Sequence, residues 1–290
     1  MKIKILIPVY NDWQSLSKLL ENINSEVSNL DHEFSVIIVN DASNENRPEF
    51  LVNLDNFKSV KIINMKENRG HARCNASGLK YIIENEEFDY VIPMDADGED
   101  RPEEIKSFID NLEYSPDKPI VGERVKRSEG LFFKLCYLIH KIITIVFTGQ
   151  SIKFGNYTFL PKSTVQKMVN EKATWSSFSG SLAKVAKDRA TIPSERGTRY
   201  FGPSKMSFKD LMIHSLSIIS VFKINVLIRS VLFLLVYMFL IHQNITTIML
   251  IPVMLIIALL VSVFVVSKRE NLEELNNSLS NILNINNLKS

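Results

Sequence analysis

Asp95, Asp97, Glu99 and Asp100 put four carboxylates into six consecutive positions, directly after the apolar run Tyr90 to Met94. Crowding that much negative charge costs free energy unless a cation compensates it. Hard oxygen donors at this spacing suit Mg²⁺ or Mn²⁺, which take a few carboxylates and complete their shell with substrate phosphates. Taken alone, the loop reads more simply as a solvated acidic turn, with Asp100 capping a helix that starts near Pro102. The other polar segments of the chain change that reading.

Those segments fall where strands should end. Ile3 to Val9 is a continuous apolar run of strand length, as expected for a strand buried on both faces of a parallel sheet. A helix should follow it, with Asp12 available as its cap and Leu16, Leu19, Leu20 and Ile23 at helical spacing. Phe34 to Val39 then ends at Asn40-Asp41. Val60 to Ile63 precedes a helix over Ala72 to Ile83, and Tyr90 to Met94 ends at Asp95. Alternation of this kind predicts an α/β domain, Rossmann-like, with a mostly parallel sheet and flanking helices. In open sheets of that class ligands bind beyond the carboxyl ends of the strands. Asn11-Asp12, Asn40-Asp41, Asn68 to Arg73 and Asp95 to Asp100 should therefore share one edge.

Composition narrows the partners. In 290 residues, Lys and Arg total 34 against 32 Asp and Glu, so no global charge favours nucleic acid. Cys74 and Cys136 have neither the spacing nor the neighbours of a zinc site or disulfide framework, and read as reduced cytosolic thiols. No cleavable signal is expected at the N-terminus, where Lys2 and Lys4 bracket a short apolar run ending in Pro8. The five histidines form no ligand set, and His71 reads as a loop residue.

The ordered series Ile7-Pro8-Val9-Tyr10-Asn11-Asp12, Val39-Asn40-Asp41-Ala42-Ser43, Asn68-Arg69-Gly70 with Ala72-Arg73, Met94 to Glu99, and Gly122-Glu123-Arg124 resembles the family 2 glycosyltransferases of the GT-A fold over about the first 210 residues. Arg199 with Gly202-Pro203-Ser204-Lys205 is similar to the late phosphate-binding segment of the dolichyl-phosphate mannose synthases and polyprenyl-phosphate glycosyltransferases. The resemblance implies a nucleotide diphosphate sugar as donor. It implies that Pro8, Tyr10 and Asp12 border the nucleobase, that Asp41 contacts base or ribose, and that Asn68 and Arg73 lie at the donor. Asp95, Asp97 and Glu99 would hold Mg²⁺ or Mn²⁺, with Asp97 the principal ligand. Glu99 departs from the Gln common in the synthases. Arg124, Arg199 and Lys205 would hold phosphate oxygens, with Arg127 a further candidate; a surface salt bridge is the alternative for each.

Transfer to a hydroxyl usually needs a general base. The stretch Thr174 to Gly180, where family members that use hydroxyl acceptors carry an acidic pair, has no carboxylate. A phosphate acceptor is already anionic and needs cationic positioning instead. This favours a polyprenyl phosphate, with another membrane lipid or a glycan hydroxyl as the alternative acceptor and a non-catalytic membrane scaffold as a third reading. Asn156, in Phe154 to Thr158, replaces an acidic residue that the synthases often carry.

The C-terminal part has a different character. Thr247 to Val266 contains 20 residues without charge, about 30 Å of helix and the thickness of a bilayer's hydrocarbon core. Val226 to Ile241 is shorter and holds Arg229, expected to snorkel to an interface. The two should form a hairpin. Lys223 and Arg229 before it and Lys268 and Arg269 after it put both ends in the cytoplasm, at the inner membrane of a cell. The expected organisation is a catalytic domain over 1–207, a juxtamembrane helix over 208–224, transmembrane helices within 225–266 and a cytosolic tail over 267–290. Residues 131–147 read as a second surface helix. The tail, with Leu272, Leu275, Leu279, Ile282 and Leu283 at helical spacing, reads as an amphipathic helix, a homo-oligomer contact or a disordered segment.

Overall fold

The computed structural model describes residues 1–48, 53–126, 131–203 and 207–289. Strand β1 (Lys2–Val9) leads into α1 (Trp13–Val27), then β2 (Glu33–Asn40), β3 (Phe57–Met65), α2 (His71–Asn85), β4 (Tyr90–Pro93) and α3 (Ile105–Asp110). These alternate as the apolar periods require. β5 (Ile120–Lys126), α4 (Leu131–Ile143), β6 (Thr158–Pro161), α5 (Lys162–Val169), α6 (Phe178–Val185) and β7 (Ala190–Glu195) complete the domain.

One eight-stranded sheet runs in the order β7-β5-β6-β4-β1-β2-β3-β8. β1 pairs in parallel with β2 and β4, and β2 with β3, so the carboxyl ends of these four strands open onto the same edge. The sheet is buried on both faces. Ile3, Ile5 and Ile7 pack with Leu16, Leu19, Leu20 and Ile23 of α1 on one side. Leu6, Ile37 and Val39 pack with Leu79 and Ile82 of α2 on the other. This two-sided burial is why the strands read as unbroken apolar runs. A Cβ on Gly78 would lie 2.3 Å from Leu6 Cδ1, so a glycine lets α2 approach β1.

After β7 the chain forms α7 (Phe208–Ser220), α8 (Lys223–Ile241) and α9 (Ile251–Ser267). Two helical stretches, Lys223–Ile241 and Ile248–Asn276, are long and apolar enough to cross a membrane. Their side chains are largely outside any core, with Leu235, Phe239, Leu240, Met254 and Leu255 all exposed. Arg229 is exposed near the start of α8. Its Nη1 donates to the Val146 carbonyl at 3.0 Å, and Asn225 Nδ2 donates to the Thr148 carbonyl at 3.1 Å, so the root of α8 is tied to a single π-helical turn (Thr144–Thr148) after α4.

The tail differs from its expected form. It makes only a short helix, α10 (Leu272–Asn276), and then β8 (Ile282–Lys289), antiparallel to β3 at the sheet's edge. Asn64 Nδ2 donates to the side chains of Asn284 and Asn286 at 2.7 and 2.6 Å, and Trp175 Nε1 donates to Glu274 at 2.6 Å. The Asn-rich composition thus serves a cross-strand amide ladder.

Candidate active site

Four loops meet at the carboxyl edge. The first is shaped by Asn11, whose φ of 50° turns the chain sharply after β1. Its Oδ1 accepts from the Asn44 and Glu45 amides, at 3.0 and 3.1 Å, and its Nδ2 donates to Asn44 at 2.6 Å. The loop after β2 is thereby fastened to the loop after β1. Asp41 is buried and accepts from the Arg69 and Gly70 amides at 2.9 and 2.8 Å, linking the third loop to the second. Burial pushes its carboxyl above the ordinary value although those two amides pull it back. Pro8 is buried inside β1 opposite Val39, and Tyr10 stands exposed at the strand's end. Asn68 lies exposed in the third loop.

The acidic loop completes the edge. Asp95 Oδ1 is 2.8 Å from His71 Nε2 and accepts from Asn156 Nδ2 at 3.3 Å. Asp100 is buried and its Oδ2 accepts from the Asp95 amide at 2.9 Å. Asp97 Oδ1 accepts from the Glu99 amide at 3.0 Å, while its Oδ2 faces Arg199 Nη1 at 2.7 Å. The other guanidinium nitrogen of Arg199 bonds to Asp12, and Arg196 bonds to Glu99. Gly98 has φ +87°, and a Cβ there would sit 2.4 Å from the Tyr200 ring. The segment 197–200 also lies along the loop through Gly197 N to Glu99 O and Tyr200 N to Asp97 O, both 2.9 Å.

The electrostatics follow from this packing. Burial would raise Asp95, but His71, with Asn156 and Arg124 in support, holds it below the usual carboxylate range. Burial would likewise lower His71, but Asp95, then Asp100 and Asp97, push it above its ordinary value. The two form an ion pair when His71 is protonated. Burial and the neighbouring Asp95 charge push Asp97 up to about 6 and Asp100 up to about 8. A cation at the loop would relieve that repulsion, and the hard carboxylate oxygens of Asp95 and Asp97 fit Mg²⁺ or Mn²⁺.

Not every expected residue joins the loop. No group of three His, Cys, Asp or Glu side chains converges on one cation position among the described residues. The expected triad of Asp95, Asp97 and Glu99 is therefore not assembled, because Glu99 is turned to Arg196. Asp12 makes no side-chain cap on α1, and Asp100 bonds to the Asp95 amide instead of capping a helix. A distant partner, Arg199, takes Asp12, and a contact within the acidic loop takes Asp100. Arg73 is directed away, its guanidinium 5.4 Å over the Trp175 ring. Arg124 lies against Gly155, where a Cβ would sit 3.1 Å from its Nη2. Lys205 and Arg127 fall outside the described residues.

Four further residues join the site beyond those given a donor, phosphate or metal-binding role from the sequence. His71 opens α2 and meets Asp95 across the edge. Asn156 and Arg196 reach the loop from distant segments, and Asp100 supports it from beneath. The one sequence signal for His71 was its place in the Asn68–Arg73 segment, directly after Gly70.

The family model for glycosyl transferase family 2 matches residues 4–175, more than half of the chain. Among solved structures, a fragment of S. aureus TarS with UDP-GlcNAc is 15% identical with a TM-score of 0.53, over 79% of this chain and 70% of that one. A mannosyltransferase from Pyrobaculum calidifontis, with GDP-Man and Mn²⁺, is 14% identical with a TM-score of 0.53, over 92% of this chain and 73% of that one. Glucosyl-3-phosphoglycerate synthase from Mycobacterium tuberculosis, with Mn²⁺ and UDP, is 11% identical with a TM-score of 0.53, over 77% of this chain and 79% of that one. At such identities the likeness concerns the fold, and the fold they share is GT-A. The family match, the strand-end loops and the acidic loop together establish that this chain belongs to glycosyl transferase family 2.

Proposed function

We propose that this chain transfers a hexose from a UDP- or GDP-linked sugar to a polyprenyl phosphate at the cytosolic face of a membrane, with inversion at the anomeric carbon. The observation that carries the reading is the apolar helical hairpin joined to the domain that holds the acidic loop. The polypeptide leaves the domain through α7 and α8, returns through α9, and re-enters the same sheet as β8. If the hairpin spans a bilayer, both of its ends lie on the side of the catalytic domain, as Lys223, Arg229, Lys268 and Arg269 also favour. Exposed apolar residues on α4 (Leu138, Ile139, Ile142) and α7 (Phe208, Met212) suit helices lying in the interface beside it.

In this reading Asp95 and Asp97 would hold Mg²⁺ or Mn²⁺, which would supply positive charge for the leaving diphosphate. The solved neighbours bound to Mn²⁺ and to UDP or GDP-Man support that assignment. Asp41, Tyr10 and Asp12 border the nucleoside. Asp100 fixes the backbone of the acidic loop, and His71 with Asn156 fixes the Asp95 carboxylate. Arg199 would give up Asp97 to the cation and hold diphosphate oxygens, with Arg124 and Lys205 adding positive charge. The acceptor phosphate is its own nucleophile, which agrees with the absence of a carboxylate between Thr174 and Gly180.

A hydroxyl acceptor, on a glycolipid or surface polysaccharide precursor, is the second reading. His71 paired with Asp95 favours it, since an imidazole beside a carboxylate has the form of a general base. Incubating membranes that contain the protein with radiolabelled nucleotide sugars and undecaprenyl phosphate separates the two. Lipid-linked label that mild acid releases supports the phosphate acceptor. Label only in an acid-stable glycoside refutes it.

A further inference from the structure

A cavity of about 120 Å³ lies between β5, β7 and the segment that follows the π-helical turn, and it is lined by Glu123, Ser151, Lys153, Lys187, Arg189 and Thr191. Three cations face one carboxylate there. Lys153 Nζ bonds to Glu123 at 2.6 Å, which neutralises that carboxylate. Arg189 is held rigidly, its guanidinium 5.3 Å over the Phe154 ring and bonded to the carbonyl of Ala183 at 3.4 Å and to that of Ala186. Lys187 is exposed and has no acidic partner among the described residues. The net surplus is positive, and the Ser151 and Thr191 hydroxyls supply two further donors. The space suits a small tetrahedral anion and is too small for a sugar nucleotide.

The cavity is distinct from the acidic loop. Glu123 and Arg124 are neighbours on β5, so their side chains leave opposite faces of the sheet. Glu123 lines the cavity, while Arg124 acts on Asp95 and Asp100. Its location is at the hairpin root. Ser151 follows Gly149 by two residues, and a Cβ on Gly149 would sit 2.7 Å from Arg229 Nη2 at the start of α8. Lys187 and Arg189 follow α6, in which a Cβ on Gly180 would lie 2.8 Å from Val221, between α7 and α8.

We infer that this cavity binds a phosphate group, and that its occupant is the headgroup phosphate of an anionic phospholipid in the leaflet the hairpin enters. The inference rests on the hairpin's being membrane-embedded. A guanidinium stacked on an aromatic ring, flanked by a lysine with no acidic partner among the described residues and by hydroxyls, offers a phosphate positive charge and hydrogen-bond donors. A lipid phosphate would arrive at the level of Arg229, whereas free phosphate would need no membrane.

The test uses the full chain purified in a neutral detergent, with thermal unfolding measured after adding dioleoyl phosphatidylglycerol, dioleoyl phosphatidylcholine or inorganic phosphate. Phosphatidylglycerol is expected to raise the midpoint by several degrees, phosphatidylcholine much less, and Lys187→Glu to abolish the difference. Lys106→Glu, on α3, should leave it intact. Stabilisation by inorganic phosphate equal to that by phosphatidylglycerol, and lost in Lys187→Glu, keeps the phosphate site but overturns its lipid source. No stabilisation by either, or stabilisation unaffected by Lys187→Glu, overturns the site itself. Membrane residence is measured separately, by retention of wild-type chain in alkali-washed membranes. Release there refutes the hairpin reading independently of the cavity.

Discussion

Arg199 and Asp97 are 102 residues apart in sequence and 2.7 Å apart in space, and the same guanidinium also bonds to Asp12. A cationic side chain thus stands where the acidic loop would take a metal. Its neighbour Arg196 does the same for Glu99. The counter-charge to the acidic loop comes from the segment on which the proposed reaction also draws for phosphate-binding cations.

Replacing that cation separates two roles. Arg199→Ala removes the competitor for Asp97, and a charge-assisted hydrogen bond contributes roughly 1.5 to 3 kcal/mol. Affinity for free Mn²⁺, followed by the paramagnetic resonance of unbound ion, is expected to rise about tenfold, at 1.4 kcal/mol per decade. Sugar transfer is expected to fall at least about a hundredfold, as a diphosphate contact is lost. Weakened Mn²⁺ binding in the variant would contradict the competition.

Stability should depend on pH in an unusual direction. Asp97 at about 6 and Asp100 at about 8 both lie above the ordinary carboxylate value of 3.8. Between that value and about 8 the folded chain therefore binds more protons than the unfolded chain, so stability falls as pH rises through this window. The unfolding midpoint without divalent cation should drop from pH 5 to pH 8. Mn²⁺ should stabilise more at pH 8, because it replaces those protons. A cation effect that is the same at both pH values would sink the explanation.

Gly98 meets two constraints at once. Its φ of +87° disfavours any side chain, and the Tyr200 ring fills the space beside it. Gly98→Ala should cost roughly 1 to 2 kcal/mol for the backbone and about 1 to 3 kcal/mol for the steric conflict. Adding Tyr200→Ala should recover only the steric part, which denaturant titration of both variants measures. Full recovery in the double variant would show that the backbone carries no strain.

Edge strand β8 makes the tail indispensable. Removing residues from Ile282 onward leaves the β3 edge unpaired and uncovers Met65 and its neighbours. The shortened chain should lose protease resistance throughout the catalytic domain. If the domain keeps its resistance, β8 is an ornament to the sheet.

The catalytic edge was legible because its signals are local. Apolar runs of strand length end in polar residues at β1, β2 and β4, and parallel topology brings such ends together. Partnerships across the chain were not legible. Asp12 had a plausible helix to cap nearby and bonds instead to Arg199, 187 residues on, while Asp100 turns back to the Asp95 amide within its own loop. Nor does anything near Glu99 announce its bond to Arg196, 97 residues on. The tail misled for a different reason. Leu272, Leu275, Leu279 and Ile282 fit a helical period, but only when α9 returns the chain to β3 does the second half acquire an edge to pair with.

The account depends most on a cation held by Asp97 that binds a nucleoside diphosphate. Calorimetric titration of UDP and of GDP into the purified full chain, with and without Mn²⁺, tests this directly when repeated with Asp97→Asn. At least one nucleotide is predicted to bind wild-type chain at least about a hundredfold more tightly with Mn²⁺, and the variant is predicted to lose that gain. Equal binding without the cation, or an unchanged Mn²⁺ response in Asp97→Asn, would contradict it.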